Sequence, residues 1–153
     1  MANTQLKYPR VLIIAGSDSS GGAGIQADIK SCAAFGAYSA TAITAVTAQN
    51  TVGVQQVKLM PAELVRAQIR SVLSDIGADV IKIGMLGSAE IIEVVAEEIE
   101  ESDAFVILDP VMVATSGDTL LAETAIEALK TKLLPLADLI TPNVPEAELL
   151  TGL

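Results

Sequence analysis

Short apolar runs alternate along the chain with longer segments in which apolar residues recur every three or four positions. Apolar or β-branched runs bounded by glycine, proline or polar residues are typical of buried strands. They predict strands at 11–15, 41–47, 55–59, 80–83, 105–108 and 139–141, the third being of the edge type. The helical spacing predicts helices at 25–35, 61–76, 88–99 and 122–134, and a further helix that begins near Glu146.

The repeated order of strand, helix and strand predicts an α/β fold with a mostly parallel central sheet. Right-handed crossovers would place helices on both faces of that sheet. Pro61 can open its helix, since the N–H that proline lacks has no helical partner there, and Pro135 is expected to stop the helix at 122–134. With no linker or internal repeat, residues 1–153 are interpreted as one domain.

The composition narrows the class of protein. Apolar residues make up 51% of the chain but aromatic residues only 3%, so the core must be aliphatic. The net charge of −10, with no cluster of Lys and Arg, argues against nucleic acid and anionic lipid as partners. No run of about 18 apolar residues is present, so no membrane span is expected. Residues 1–10 lack the apolar stretch of a signal peptide, and a cytoplasmic location is predicted.

Two residue counts exclude whole classes of chemistry. The single cysteine, Cys32, cannot form an intrachain disulfide, and we expect it to be a small core residue. The chain has no histidine, which excludes Ser-His-Asp and Cys-His catalysis and histidine ligands to metals.

Polar and glycine residues follow the predicted strands, where the carboxyl ends of parallel strands form one rim of the sheet. Ligands of open α/β sheets bind beyond this rim. The first strand leads into a glycine-rich loop, 16–24, which lacks the Gly-Lys-Ser/Thr end of a phosphate-binding P-loop. The loop is open to two interpretations: a plain turn before a helix, or a backbone that lets a ligand approach closely.

Two further features each allow a structural and a functional interpretation. Asp28, one turn inside the first helix, is either a solvated acid or a hydrogen-bond acceptor for a ligand. Asn143 and Glu146 have the spacing of a helix capping box. The same pair, with Asp109 on the neighbouring rim, has the oxygen ligands that Mg²⁺ prefers.

Five segments, taken in order, resemble one known family. They are AGSDSSGGAGIQAD at 15–28, TAVTAQNT at 44–51, KIGMLGS at 82–88, LDPVMVATSGD at 108–118 and LITPNVPEAELL at 139–150. Together they resemble the successive motifs of the hydroxymethylpyrimidine/phosphomethylpyrimidine kinases of thiamine biosynthesis, a ribokinase-like family. The likeness runs from residue 11 to the end of the chain.

The resemblance implies ATP-dependent phosphorylation of 4-amino-5-hydroxymethyl-2-methylpyrimidine and then of its monophosphate. It implies ATP and Mg²⁺ as cofactors and, as in many family members, a possible homodimer. The residues that would contact the pyrimidine are Gly16, Asp28, Gln49, Met85 and Val111. The residues that would organise Mg²⁺ and phosphate are Asp109, Asn143 and Glu146.

The family pattern continues beyond the segment that this chain resembles, with an anion hole, the catalytic base and most of the adenine pocket. We therefore expect a truncated, N-terminal part of the kinase, without catalytic residues of its own and incomplete for catalysis. Two alternatives remain open. The chain is a non-catalytic module that binds a pyrimidine or a partner, or it belongs to a pyridoxal kinase-like enzyme.

Overall fold

A computed structural model describes residues 8–112 and 122–152, and six strands in that part of the chain form one sheet. The spatial order is β3-β2-β1-β4-β5-β6. The strands are β1 Arg10–Asp18, β2 Tyr38–Asn50, β3 Gly53–Leu59, β4 Val80–Ile83, β5 Phe105–Leu108 and β6 Leu139–Ile140. Strand β3 pairs antiparallel with β2 at the edge, and all other pairs are parallel, which confirms the predicted fold class.

The helices follow the strands in the predicted order. They are α1 Gly24–Ala34, α2 Ala62–Asp75, α3 Ala89–Ile99, α4 Glu123–Ala128 and α5 Val144–Thr151. A π-helical turn, Leu129–Leu133, and a 3-10 turn, Leu134–Leu136, continue α4. Among the described residues, no helix is long and apolar enough to cross a bilayer.

Alternate side chains of β1 pack against different layers, because successive strand residues point to opposite faces. Leu12 and Ile14 are fully buried in the larger core cluster, which also contains apolar residues of α2, α3 and α4. Ile13 and Ala15 pack in a smaller cluster with Ile25 of α1. Helices therefore cover both faces of the sheet, as predicted. Each fully buried Leu or Ile side chain contributes about 1.5–3 kcal/mol.

Most predicted helix boundaries are confirmed, but the effect of Pro135 was predicted wrongly. Ser88 caps α3, and its hydroxyl accepts a hydrogen bond from the Ile91 N–H. Pro61 lies at the N-cap of α2. Pro135, expected to end the preceding helix, instead lies within the 3-10 turn. The first residues of a helical turn need no N–H donor, so proline fits there.

An ion-pair network joins α2 to α3 on the side of the larger core. Glu98 accepts hydrogen bonds from Arg66 at 2.6 Å and from Arg70 at 2.7 Å. The Glu98 side chain is only 10% exposed. Hydrogen bonds from Arg70, followed by those from Arg66, outweigh burial and lower the pKa of the Glu98 carboxyl. The pair of helices is thereby held together by charge as well as by apolar packing.

Candidate active site

The strand order reverses next to β1, which makes the carboxyl ends of β1 and β4 the topological switch point of the sheet. From β1 the chain crosses to β2 on one side and later returns to β4 on the other. Such a switch point is where open α/β sheets bind their ligands. The register of β1 against β2 also shifts between Ala15 and Ser17, so Gly16 lies at an irregularity of the sheet.

The glycine-rich loop is folded around the buried carboxylate of Asp18. This carboxylate accepts hydrogen bonds from the backbone N–H groups of Ser20, Gly22 and Ala23 at 2.8–3.0 Å and from the Ser20 hydroxyl at 2.8 Å. Burial alone would raise the pKa of Asp18, but these hydrogen bonds outweigh it and the pKa lies below its ordinary value. Asp18 thus fixes the loop that precedes α1.

Helix α1 approaches the end of β1 as closely as its backbone allows. Gly24 has a φ of +56°, and a Cβ added there would overlap the carbonyl oxygen of Gly16. The Gln26 side chain accepts a hydrogen bond from the Asp18 N–H at 2.8 Å and donates one to the Ser17 hydroxyl at 2.7 Å. The loop is therefore a built junction between β1 and α1, which a plain surface turn does not require.

Gln49 is held at the end of β2 by two reciprocal hydrogen bonds to Ser19. The Ser19 hydroxyl donates to the Gln49 carbonyl at 2.8 Å, and the Gln49 N–H donates to the Ser19 hydroxyl oxygen at 2.8 Å. The Thr47 hydroxyl lies 3.2 Å from the side-chain oxygen of Gln49. These contacts bring the end of β2 against the glycine-rich loop.

Gly16 and Met85 meet across the switch point. A Cβ added at Gly16 would lie 3.1 Å from Cε of Met85, so only glycine leaves that side chain its full space. The carbonyl of Met85 accepts a hydrogen bond from the Thr44 hydroxyl at 2.6 Å. Val111, half-buried, lies in the turn after β5, where its N–H donates to the Asp109 carbonyl at 2.8 Å.

The structure joins two of the predicted site residues through a third that sequence reasoning missed. Lys82 of β4 lies with its Nζ atom 3.0 Å from Oδ2 of Asp28 and 3.6 Å from Oδ2 of Asp109. Asp28 is therefore a paired acid whose side chain is only 23% exposed, and the solvated alternative is wrong. The sequence signal that could have identified Lys82 is a lysine within the otherwise apolar strand VIKI.

Asn143 and Glu146 form the capping box that their spacing predicted. Asn143 Oδ1 accepts from the Glu146 N–H at 2.9 Å, and Glu146 Oε2 accepts from the Asn143 N–H at 2.9 Å. Glu146 is 3% exposed, and its Oε1 accepts from the Met112 N–H at 3.3 Å. Among the described residues, no three acidic, cysteine or histidine side chains form a group that would hold a metal ion.

Comparison with known proteins assigns the chain and its fold to a family. The sequence profile described as "Phosphomethylpyrimidine kinase" matches residues 18–153. The chain belongs to the phosphomethylpyrimidine kinase family. It is 54% identical over 144 residues to the hydroxymethylpyrimidine/phosphomethylpyrimidine kinase of Streptomyces coelicolor, covering 94% of this chain and 54% of that protein.

Other relatives include proteins in which the family sequence is part of a longer chain. The chloroplastic thiamine biosynthetic bifunctional enzyme TH1 of Arabidopsis thaliana is 54% identical over 145 residues, which are 94% of this chain and 28% of that protein. The chain spans about half the length of the Streptomyces kinase and less of the bifunctional enzyme.

Solved structures confirm the ribokinase-like fold that the resemblance implied. The phosphomethylpyrimidine kinase of Clostridium difficile superposes with a TM-score of 0.89 at 47% identity, covering 96% of this chain and 64% of that one. The pyridoxal kinase of Bacillus subtilis, in an ADP complex, superposes with a TM-score of 0.84 at 39% identity, covering 96% and 55%. The fold is thus shared by a phosphomethylpyrimidine kinase and a pyridoxal kinase.

Proposed function

We propose that this chain carries the pyrimidine-binding part of a hydroxymethylpyrimidine/phosphomethylpyrimidine kinase. The proposed reaction is transfer of the γ-phosphoryl group of ATP to 4-amino-5-hydroxymethyl-2-methylpyrimidine, and then to its monophosphate. The observation that carries the proposal is the arrangement at the switch point of the sheet, where Met85 packs against Gly16 and Lys82 of β4 pairs with Asp28 of α1. Relatives that bear this activity in their names are about half identical to the chain.

The proposed pyrimidine site combines two polar groups with apolar walls. Asp28 would accept a hydrogen bond from the exocyclic amine, and the side-chain amide of Gln49 would bond a ring nitrogen. Met85 and Val111 would pack against the faces and edge of the ring, while Gly16 leaves space for its approach. A few polar groups within an apolar pocket are what fixes a small ligand in one orientation.

The phosphate end is proposed on the rim that holds Asp109, Asn143 and Glu146. ATP use is supported by structures of the related pyridoxal kinase of Staphylococcus aureus with AMP-PCP and with ADP. Both Glu146 oxygens already accept hydrogen bonds from backbone N–H groups. We therefore assign Asn143 and Glu146 the role of fixing the backbone conformation of this rim. Asp109 is the carboxylate that remains to meet a hydrated Mg²⁺, which, when bound, neutralises phosphate charge.

We assign no catalytic base within this chain. Phosphoryl transfer depends on positioning and on neutralising the charge of the transferred group. The chain matches about half of the length of the Streptomyces kinase, and we propose that the anion hole and the base belong to the other half. Alone, the 153 residues are then expected to bind the pyrimidine and not to turn it over.

Calorimetric titration of the 153-residue chain with the hydroxymethyl pyrimidine tests binding directly. Asp28→Asn should weaken binding at least about tenfold, the loss typical of one hydrogen bond to a charged group. Asp75→Asn, at the end of α2, is the matched control and should leave binding unchanged. Turnover is tested on a fusion of this chain to the remaining half of the Streptomyces coelicolor kinase. Absence of both binding and pyrimidine-dependent ADP formation rejects the proposal.

The fold similarity to pyridoxal kinases supports a second candidate function. The same fusion should be assayed with pyridoxal, because a chain 39% identical to the Bacillus subtilis enzyme shares its fold. A kcat/KM for pyridoxal above that for the pyrimidine would replace the proposed substrate. Pyrimidine binding by the chain with no turnover in the fusion would favour the alternative of a non-catalytic binding module.

A further inference from the structure

Lys82 places a positive charge within the sheet, at a position where a charge does not add to the stability of the sheet itself. It is the third residue of the four-residue strand β4, between Ile81 and Ile83, which are fully buried. Its side chain is 23% exposed and points to the face covered by α1, since it pairs in register with Ile13. Replacing a buried ion pair by apolar residues is often neutral or stabilising, so packing does not explain a lysine here.

The ammonium group lies between two acids that come from different elements. Asp28 on α1 accepts its hydrogen bond at 3.0 Å, and Asp109 after β5 lies 3.6 Å away, within ion-pair distance. Of the three donors on a lysine, Asp28 therefore takes one. Lys82 also offsets the repulsion between the two carboxylates, since each lies within ion-pair distance of its Nζ atom.

The neighbouring backbone leaves room for this placement. A Cβ added at Gly84 would lie 3.2 Å from Nζ of Lys82 and 3.1 Å from Cβ of Ala15. Any larger residue at position 84 would therefore press on the ammonium group. The glycine and the lysine form one local arrangement that directs Nζ toward α1.

We infer that Lys82 is a positioning residue for substrate recognition, which fixes Asp28 so that one carboxylate oxygen is presented to the amine of the ligand. This inference rests on the proposed function. Lys82 occupies Oδ2 of Asp28, and no hydrogen bond from residues 8–112 or 122–152 reaches Oδ1. Oδ1 is then the acceptor for the exocyclic amine. Lys82 itself does not touch the ligand.

The test compares two ligands that differ only in that amine. Binding of 4-amino-5-hydroxymethyl-2-methylpyrimidine and of its analogue with hydrogen at position 4 is measured on the 153-residue chain and on its Lys82 variants. Lys82→Met should weaken binding of the amino compound by about 10-fold or more, as for loss of a charged hydrogen bond. The analogue should change by less than about threefold, because it lacks the amine that Asp28 would bind. Equal losses for both ligands would overturn the inference.

A double-mutant cycle shows whether Lys82 acts through Asp28. In the Asp28→Asn background, Lys82→Met should have little further effect on affinity, because the acceptor it orients is already gone. Additive losses would contradict the inference. Lys58→Met, on the exposed edge strand β3, is the matched control. If Lys82→Met does not fold, as judged by circular dichroism, Gly84→Ala displaces the ammonium group while keeping its charge, and the same amine-selective loss is expected.

The outcomes separate this inference from the proposed function. A wild-type chain that binds neither pyrimidine rejects the proposed function itself. If the wild-type chain binds the amino compound and both Lys82→Met and Gly84→Ala bind it with the wild-type affinity, only the role of Lys82 is rejected.

Discussion

Gly24 at the start of α1 allows a test that separates backbone conformation from steric contact. Gly24 and Gly36 lie at the two ends of the same helix, with φ values of +56° and +71°. Both are in the region that residues with a Cβ rarely adopt. A Cβ at Gly24 would overlap the Gly16 carbonyl oxygen, whereas a Cβ at Gly36 would meet nothing within 4 Å. The two alanine variants therefore share the cost of a left-handed backbone, and only Gly24→Ala adds a steric contact.

The expected losses follow from these two geometries. The left-handed conformation costs alanine about 1–2 kcal/mol, which applies to both variants. Overlap with a backbone atom adds about 1–3 kcal/mol at Gly24, because the junction of β1 and α1 must open to relieve it. Gly36→Ala should therefore lower the free energy of unfolding by about 1–2 kcal/mol and Gly24→Ala by about 2–5 kcal/mol. The larger value is a large fraction of the ~5–15 kcal/mol by which a domain is stable.

Urea unfolding followed by circular dichroism measures both variants against the wild type, with the slopes compared to confirm that the unfolded states match. Pyrimidine titration should also show weaker binding for Gly24→Ala, since Gly16 and Asp28 flank the displaced junction. Equal losses of stability in the two variants would contradict this prediction, because the contact with Gly16 would then contribute nothing.

Three further predictions follow from the charges and the thiol. Glu98→Ala should lower the free energy of unfolding by about 1–3 kcal/mol, since it leaves two arginines without their shared acceptor. In the same urea titration, Glu93→Ala on the exposed side of α3 should change the free energy of unfolding little. The lowered pKa of Asp18 means that its stabilisation is complete above the unfolded-state pKa of about 4 and is lost as the pH falls through the lower folded-state value. Stability measured from pH 5 downward to about pH 2 should therefore fall less steeply for Asp18→Asn than for the wild type, and parallel curves would contradict this. Burial, with a smaller effect from Asp28, raises the pKa of the Cys32 thiol, while the charge of Lys82 lowers it. At pH 8, Cys32 should thus react with a disulfide reagent more slowly in the folded chain than in the urea-unfolded chain. In folded Lys82→Met the reaction should be slower still, because the nearby positive charge is lost. An unchanged rate in that variant would place Lys82 farther from α1.

The strands were predictable because their apolar runs are short and sharply bounded. The ranges 80–83 and 105–108 agree residue for residue with β4 and β5. Strand β2, predicted at 41–47, spans Tyr38–Asn50 because its pairing with β1 and with the antiparallel β3 continues past the apolar run. Such pairing depends on neighbouring strands, which a local pattern does not contain.

The candidate site was predictable only in part. The capping box of Asn143 and Glu146 could be identified from sequence because it is formed within four residues. The ion pair of Asp28 with Lys82 could not, because it joins a helix to a strand that is distant in sequence. Which residues meet there is decided by the crossover and the register of β4 against β1.

The central position of β1 has a consequence for how the protein is made. Val11 pairs with Ser39 on one side and with Val80 on the other, so during synthesis β1 receives its second partner only when β4 emerges from the ribosome. At synthesis rates of about 5–20 residues per second, that interval is on the order of several seconds. Until β4 emerges, the apolar segment VLIIA at 11–15 can pair with β2 on one side only. Its other edge is open, and a chaperone must cover it or the pairing with β2 must hold the strand alone.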